Sequence, residues 1–257
     1  MKNITILGVT GSIGQQTVDV CLHHQDEFNV VAMSAGKNIV LLETTIQKIN
    51  PQVVCVIDEK DCNYLQEKYP HIRFVFGSAG LDEIATIDQV DIVLNAIVGF
   101  AGLLPTIHAI ESKKDIALAN KETLVVAGEI VMRKAKENGH LIFINTGRTI
   151  SVINKEIKDL GFDGYICGCG SYIEVDGEVI YSNDIDKSKY AEIINKIEEY
   201  DLDVVLEGRE AVYYNRDTST DAMLTDFIQN NYPVKRYEDE NLEFDKMYMK
   251  YKDNEYL

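Results

Sequence analysis

Three glycines mark the first place where this chain could do chemistry. Gly8, Gly11 and Gly14 stand in GVTGSIG, directly after the apolar run at residues 3–7 and before a stretch carrying Ile13, Val18, Val20 and Cys21. Strand, glycine turn and helix in that order let the backbone approach a pyrophosphate, while the helix's first N–H groups and its dipole hold the negative charge. The spacing GxxGxxG departs from the usual GxGxxG, so an ordinary strand-to-helix turn is the competing reading. About twenty residues on, a second strand runs to Ser34, where an NAD site places an acid for the ribose hydroxyls. Here Ala35, Gly36, Lys37 and Asn38 follow instead. A cation beside a small polar residue suits a 2′-phosphate, which selects NADP over NAD; the alternative is a solvated lysine at a helix start.

Two later strand ends are loaded with small or polar residues: Asn95, Ala96, Val98 and Gly99 after one, and Asn120, Lys121 and Glu122 after the next. Glu122 suits the first turn of a helix, whereas Lys121 opposes the dipole there and is better explained by an anionic substrate. The elements that must position these groups follow from the apolar pattern. PQVVCVI, a polar helix over residues 59–69, IRFVF, a short helix, VDIVLNAIVG, a helix over 103–112 and DIALA alternate along the chain. Val- and Ile-rich strands separated by helix-length segments predict an α/β fold with a doubly wound parallel sheet, whose ligands sit at the carboxyl ends of the strands. Residues 122–138 then read as one helix, closed by Gly139.

GVTGSIGQQT, SAGKN, NAIVGFAGL and above all IALANKETLV resemble the NADPH-binding, Rossmann-like domain of the 1-deoxy-D-xylulose 5-phosphate reductoisomerases, over about residues 1–133. The resemblance implies that Thr10, Gly11, Ser12 and Ile13 cradle the NADPH phosphates and that Gly36, Lys37 and Asn38 hold the adenosine end. It further implies that Asn120 and Glu122 contact the cofactor and that Lys121 reaches the sugar phosphate. That family also uses a divalent cation, magnesium or manganese, held by the carboxylates of a DSEH motif. No DSEH occurs here, and there is no Trp for the family's flexible loop. The implied metal therefore lacks its ligands, and a chain that binds NADPH without completing the metal-assisted rearrangement is expected.

After Gly139 the chain changes character. HLIFINTGRTISV leads to GFDGYICGCGSYIEVDGEVIYS, where Asp176-Gly177 between IEV and EVI is a hairpin signal, and then to a helix over 187–200 and DVVLEGREAVYYN. Over about residues 134–232 this resembles the second motif and α+β cap of the Cof-type haloacid-dehalogenase-like phosphatases. Thr146 would bond the transferred phosphoryl group and Arg148 would start the helix beyond it; Thr146 as a plain helix cap is the local alternative. The DxDGT aspartate that such enzymes use as nucleophile does not occur upstream, nor do the later acids that hold magnesium. The organisation expected is an NADPH-binding domain over 1–139 and a partial phosphatase strand with a cap-like domain over 140–257. The second half is then either a binding module for a phosphorylated metabolite, a truncated phosphatase, or a segment that lacks too many strands to fold stably.

Composition narrows the partners. The net charge is −17, and residues 1–140 hold 12 Lys and Arg against 17 Asp and Glu, so the excess acidity concentrates in the second half. An acidic surface disfavours nucleic acid and anionic lipid, and no apolar run is long enough to span a bilayer. The opening MKNITILG has no secretory pattern, so a cytoplasmic location is expected. Five cysteines, an odd number, make a disulfide framework unexpected, and Cys167-Gly168-Cys169 is a weak metal signal without a second pair. Residues 232–257 alternate charges and aromatics; a frayed end or a partner-binding strand are the two readings. The sequence leaves the oligomeric state open.

Overall fold

Val53, Val54, Cys55 and Val56 alternate between two apolar cores, the odd-numbered pair in one cluster and the even-numbered pair in the other. A strand buried on both faces has helices above and below it, which is why its sequence is continuously apolar. The computed structural model describes residues 1–215, 222–239 and 242–250. The chain divides into two compact units, Met1–His140 and Leu141–Leu257.

The first unit alternates strand and helix: β1 (Lys2–Leu7), α1 (Ser12–His23), β2 (Phe28–Ser34), α2 (Ile39–Ile49), β3 (Val53–Val56), α3 (Glu59–Lys68), β4 (Arg73–Phe76), α4 (Gly77–Ala85), β5 (Ile92–Asn95), α5 (Leu103–Glu111), β6 (Asp115–Leu118) and α6 (Lys121–Glu137). The six strands form one sheet in the order β4-β3-β2-β1-β5-β6, and every neighbouring pair is parallel. The order reverses between β1 and β5, so the loops after these two strands part there and open a crevice.

α6 begins at Lys121, one residue earlier than the sequence suggests, and it is not one uninterrupted helix: Ala127 has φ −133° and ψ 22°. Its end is regular. Gly139 takes φ +77°, its N–H bonds to the Lys136 carbonyl, and the His140 N–H reaches back to the Ala135 carbonyl. This pair of bonds satisfies carbonyls that the helix leaves open, and only glycine adopts that left-handed position without strain. A Cβ at Gly139 would meet nothing, so Gly139→Ala carries a purely conformational cost. It is expected to destabilise the unit by about 1 kcal/mol, measured by urea denaturation.

The second unit holds β7 (Phe143–Asn145), α7 (Lys155–Lys158), β8 (Gly164–Cys167), β9 (Tyr172–Val175), β10 (Glu178–Ser182), α8 (Tyr190–Glu199), β11 (Asp203–Glu207), β12 (Val212–Tyr214), α9 (Ala222–Gln229), β13 (Val234–Arg236) and β14 (Lys246–Lys250). Its sheets run β10-β9-β8-β7 and β13-β12-β11-β14. Asp176 and Gly177 both have positive φ, 50° and 78°, joining β9 to β10 through the two-residue turn that their sequence signals. Residues 234–239 and 242–250 are not a frayed end: they add β13 and β14 to the second sheet, and Phe244 stacks on Tyr190 with ring centroids 4.5 Å apart. Residues 240, 241 and 251–257 of that tail lie outside the described residues.

Arg209, in the loop after β11, joins the two sheets of this unit. Its guanidinium bonds to Ser182 at the end of β10 and to Asp184 just beyond it, lies 5.3 Å from the Tyr172 ring, and sits 3.6 Å from the Asp245 carboxylate. Ser151 adds a second link through its hydroxyl to the Gly208 carbonyl at 2.6 Å, and Val152 packs with Val205, Val212 and Phe227.

Candidate functional site

A cleft of about 680 Å³ lies at the carboxyl ends of the first unit's strands, within the range of small-molecule and cofactor sites. Its floor is the turn after β1. Gly8 has φ +90°, and a Cβ there would lie 2.9 Å from the Ala96 carbonyl oxygen; a Cβ at Gly14 would collide with the Gly8 oxygen and lie 2.7 Å from the Val9 Cα. These glycines bring α1 and the loop after β5 directly against the β1 turn. The helix end itself is left open. Asn38, Asn120 and Asn154 cap α2, α6 and α7 with their side chains; Gly11 gives α1 no side-chain cap and its first turn holds no acid, as is also true of α4 and α5, but only α1 follows the glycine turn. Three N–H groups at Ser12, Ile13 and Gly14 precede the first intrahelical bond, which Gln15 donates to the Gly11 carbonyl at 2.9 Å. An uncapped helix start facing a glycine turn fits an anionic group.

Of the residues expected to hold the cofactor, Thr10, Gly11 and Gly36 line this cleft. Ser12 and Ile13 are exposed at the start of α1, and Lys37 and Asn38 are exposed just past β2. The Asn38 side chain accepts from the Leu41 N–H at 3.1 Å as the α2 cap. Lys121 is exposed and Glu122 half-buried in the first turn of α6, while Asn120 is buried. Thr146 and Arg148 belong to the second unit. There the Thr146 hydroxyl accepts from the Arg148 N–H at 3.2 Å, and Arg148 does not begin a helix. A 3₁₀ turn starts instead at Ile150, after Thr149, because Val152 is drawn into the apolar cluster with β11 and β12.

The structure adds Ser34, Cys55, Ile57, Ser78, Asp82 and Phe100 to the lining. FGSAG at the start of α4 was the readable signal for Ser78, since all carboxyl ends of a parallel sheet share one edge. Burial pushes the Cys55 thiol up to about 12, with Cys62 and Glu83 adding to the shift, so it stays neutral and unreactive. Asp82 lies 3.2 Å from His108 Nδ1 at the rim. All five cysteines are free. No helix among the described residues is long and apolar enough to cross a membrane. Among those residues no group of three or more His, Cys, Asp or Glu side chains is arranged to hold a metal ion. They do not fit the divalent cation that the resemblance implies.

Comparison with known proteins separates the two units. Residues 4–128 match the family model of 1-deoxy-D-xylulose 5-phosphate reductoisomerase, and residues 118–256, more than half the chain, match that of haloacid dehalogenase-like hydrolases. The chain belongs to the haloacid dehalogenase-like hydrolases, matched through its second half, and its first half is similar to the reductoisomerases. The two resemblances read from the sequence are thus both supported, and the sheet of the first unit is Rossmann-like.

The reductoisomerase of Halalkalibacterium halodurans is 51% identical over 140 residues, covering 54% of this chain and 37% of that protein. That of Clostridium perfringens is 48% identical over 143 residues, with the same two shares. The chain thus spans about a third of the length of these relatives. Among solved structures, a reductoisomerase in complex with NADPH, fosmidomycin and magnesium is 34% identical with a TM-score of 0.52, over 55% of this chain and 35% of that one. The two family matches overlap at residues 118–128, from the last residue of β6 to just past the irregularity at Ala127 in α6.

Proposed function

We propose that the first unit binds NADPH in the cleft above β1, β2 and β5 and that the chain does not by itself carry out the reductoisomerase reaction. The observation that carries the reading is the uncapped start of α1 over a turn where Gly8 and Gly14 admit no side chain. NADPH, when bound, supplies a hydride; this chain's residues bind and orient it. The N–H groups of Ser12 and Ile13 and the Thr10 side chain hold the pyrophosphate. Gly36 gives the adenosine room, since the nearest atom a Cβ there would meet is 4.0 Å away, and exposed Lys37 pairs with the 2′-phosphate. Lys121 and Glu122, beyond the carboxyl end of β6, serve the sugar phosphate and the nicotinamide side. The carboxylates that would complete a metal-assisted rearrangement have no counterpart in the sequence.

Calorimetric titration of the whole chain tests this reading. NADPH is expected to bind at least tenfold more tightly than NADH, and Lys37→Ala is expected to remove most of that preference, worth about 1.4 kcal/mol per tenfold. Equal affinity for the two cofactors, or no binding at millimolar NADPH, overturns it. For the second unit we propose a non-hydrolytic role, because phosphoryl transfer through an aspartyl intermediate needs a nucleophile that no DxDGT motif supplies here. Retention of the Thr146–Arg148 turn supports recognition of a phosphorylated metabolite by this unit, checked by thermal-shift screening of sugar phosphates with and without NADPH.

A further inference from the structure

Asp82 is the only charged side chain among the described residues that line the cleft. A carboxylate repels a ligand that carries several phosphate charges, unless it meets a hydrogen-bond donor of that ligand. Asp82 Oδ1 is buried beside His108 Nδ1, 3.2 Å away, and makes no hydrogen bond. The side chain as a whole is 30% exposed, and that exposure falls on its other oxygen, Oδ2, and on the Cβ. A carboxylate oxygen only accepts, so Oδ2 suits an N–H or O–H group of whatever fills the cleft.

The fold sets this carboxyl at the adenosine end. α4 follows β4 and packs on β3. In the sheet order these strands lie on the β2 side of β1, away from β5 and β6. The approach of α4 is close: a Cβ at Gly80 would stand 3.0 Å from Cys55 Sγ, and the Cys55 thiol donates to the Gly77 carbonyl at 3.7 Å. Ser78 and Asp82, four residues apart, share one face of this helix and both line the cleft. Ala35, Ile57, Leu81, Ile97 and Leu104 give the cleft apolar walls. A planar base stacks well between such walls, and a single polar group then decides which base is taken. On the adenosine half of NADPH the donors are the 6-amino group of adenine and the 3′-hydroxyl, since the 2′-oxygen carries phosphate. Lys37, just past β2, draws the ribose phosphate to that strand end, and the base is the part that extends further, toward α4.

We propose that Asp82 selects adenine in the cofactor by accepting from its 6-amino group through Oδ2, with Oδ1 turned to His108. This rests on the NADPH reading above. A base with an oxygen at that position, hypoxanthine or guanine, sets two acceptors against each other, and this repulsion is the discriminating element. Asp82→Ala removes the acceptor. Asp82→Asn exchanges it for an amide that also donates, which suits a 6-oxo group. Asp82 lies outside the apolar clusters of the first unit, so both variants are expected to unfold within about 3 °C of wild type.

Calorimetric titration of the whole chain with NADPH and with its hypoxanthine analogue, which differs only in carrying oxygen for the 6-amino group, tests the proposal. The wild-type chain is expected to bind NADPH at least about tenfold more tightly than the analogue. In Asp82→Ala the two affinities are expected to come within about twofold of each other, and in Asp82→Asn to become level or to reverse in order. Equal affinities in the wild-type chain overturn the proposal. So does a preference that survives in Asp82→Ala while both ligands weaken equally, which would assign Asp82 to the ribose. The two readings fail separately. Binding of neither ligand by the wild-type chain defeats the cofactor reading and this inference with it, whereas tight binding of both without preference leaves the cofactor reading standing and defeats only the selection of adenine.

Discussion

Alanine at Gly14 is expected to destabilise the first unit by about 3 kcal/mol and to abolish the NADPH binding proposed for it. The added Cβ would collide with the Gly8 oxygen and lie 2.7 Å and 2.8 Å from the Val9 Cα and carbonyl carbon. These are backbone atoms, so no side chain can rotate out of the way. Nor can the turn retreat. Gly8 is itself held at φ +90° against the loop after β5, where a Cβ would approach the Ala96 oxygen to 2.9 Å. The clash must push α1 away from β1, which opens the apolar contacts of Val18 and Cys21 and displaces the N–H groups of Ser12 and Ile13 from the turn. Gly11 provides the internal comparison, because a Cβ there would stand 3.4 Å from the nearest atom, an ordinary contact. Gly11→Ala is expected to cost less than about 1 kcal/mol. Urea denaturation and NADPH titration of both variants check the contrast; equal stabilities would show that the close approach of α1 is not what Gly14 provides.

Replacing Arg209 with methionine is expected to destabilise the second unit by about 3 kcal/mol at neutral pH, at the lower end for breaking a buried pair because the guanidinium is partly exposed. Asp245 is the reason. Its side chain is 3% exposed, and burial pushes its carboxyl above the ordinary value of 3.8, against the pull of Arg209 and with Glu243 adding to the rise. A carboxyl whose folded value is raised binds its proton more tightly in the folded chain than in the unfolded one. Its contribution to stability is therefore largest below its ordinary value and is lost as pH rises through the folded value. Without Arg209 the rise grows, so the deficit of the variant relative to wild type should shrink as pH is lowered from 7 toward 4. Adding Asp245→Asn should recover part of the loss at pH 7, since the unpaired charge is then gone. Thermal denaturation across that pH range measures both effects. A deficit independent of pH would assign the loss to the contacts with Ser182 and Asp184 instead.

Much of the first unit was readable because its signals are local. The strands at 3–7, 53–56 and 92–95 are apolar runs bounded by turn residues, and the glycine turn names its own neighbour, the helix that follows. The hairpin at Asp176-Gly177 was readable for the same reason, its two residues having the side chains that positive φ tolerates. The irregularity at Ala127 was not. The apolar period runs through it, and nothing about an alanine announces a break. The reading of residues 232–257 as a frayed end or a partner's strand missed β13 and β14 because the residues that pair with β14 belong to β11, some forty positions earlier, and register at that distance leaves no trace in a short window.

The amino-acid sequence by itself determined that the chain has two origins, that its first half alternates strand and helix around a glycine turn, and that the motif aspartates of either parent reaction are missing. These depend on residue identity and spacing along the chain. Only the tertiary structure decided which hydrogen bonds the side chains at the strand ends make. Asn38 and Asn120 look alike as strand-end asparagines, yet Asn38 stands exposed as a helix cap while Asn120 is buried and gives both amide hydrogens to a loop twenty residues away. Hydrogen-bonding capacity is finite, and which partner consumes it is set by which strand ends the sheet brings side by side.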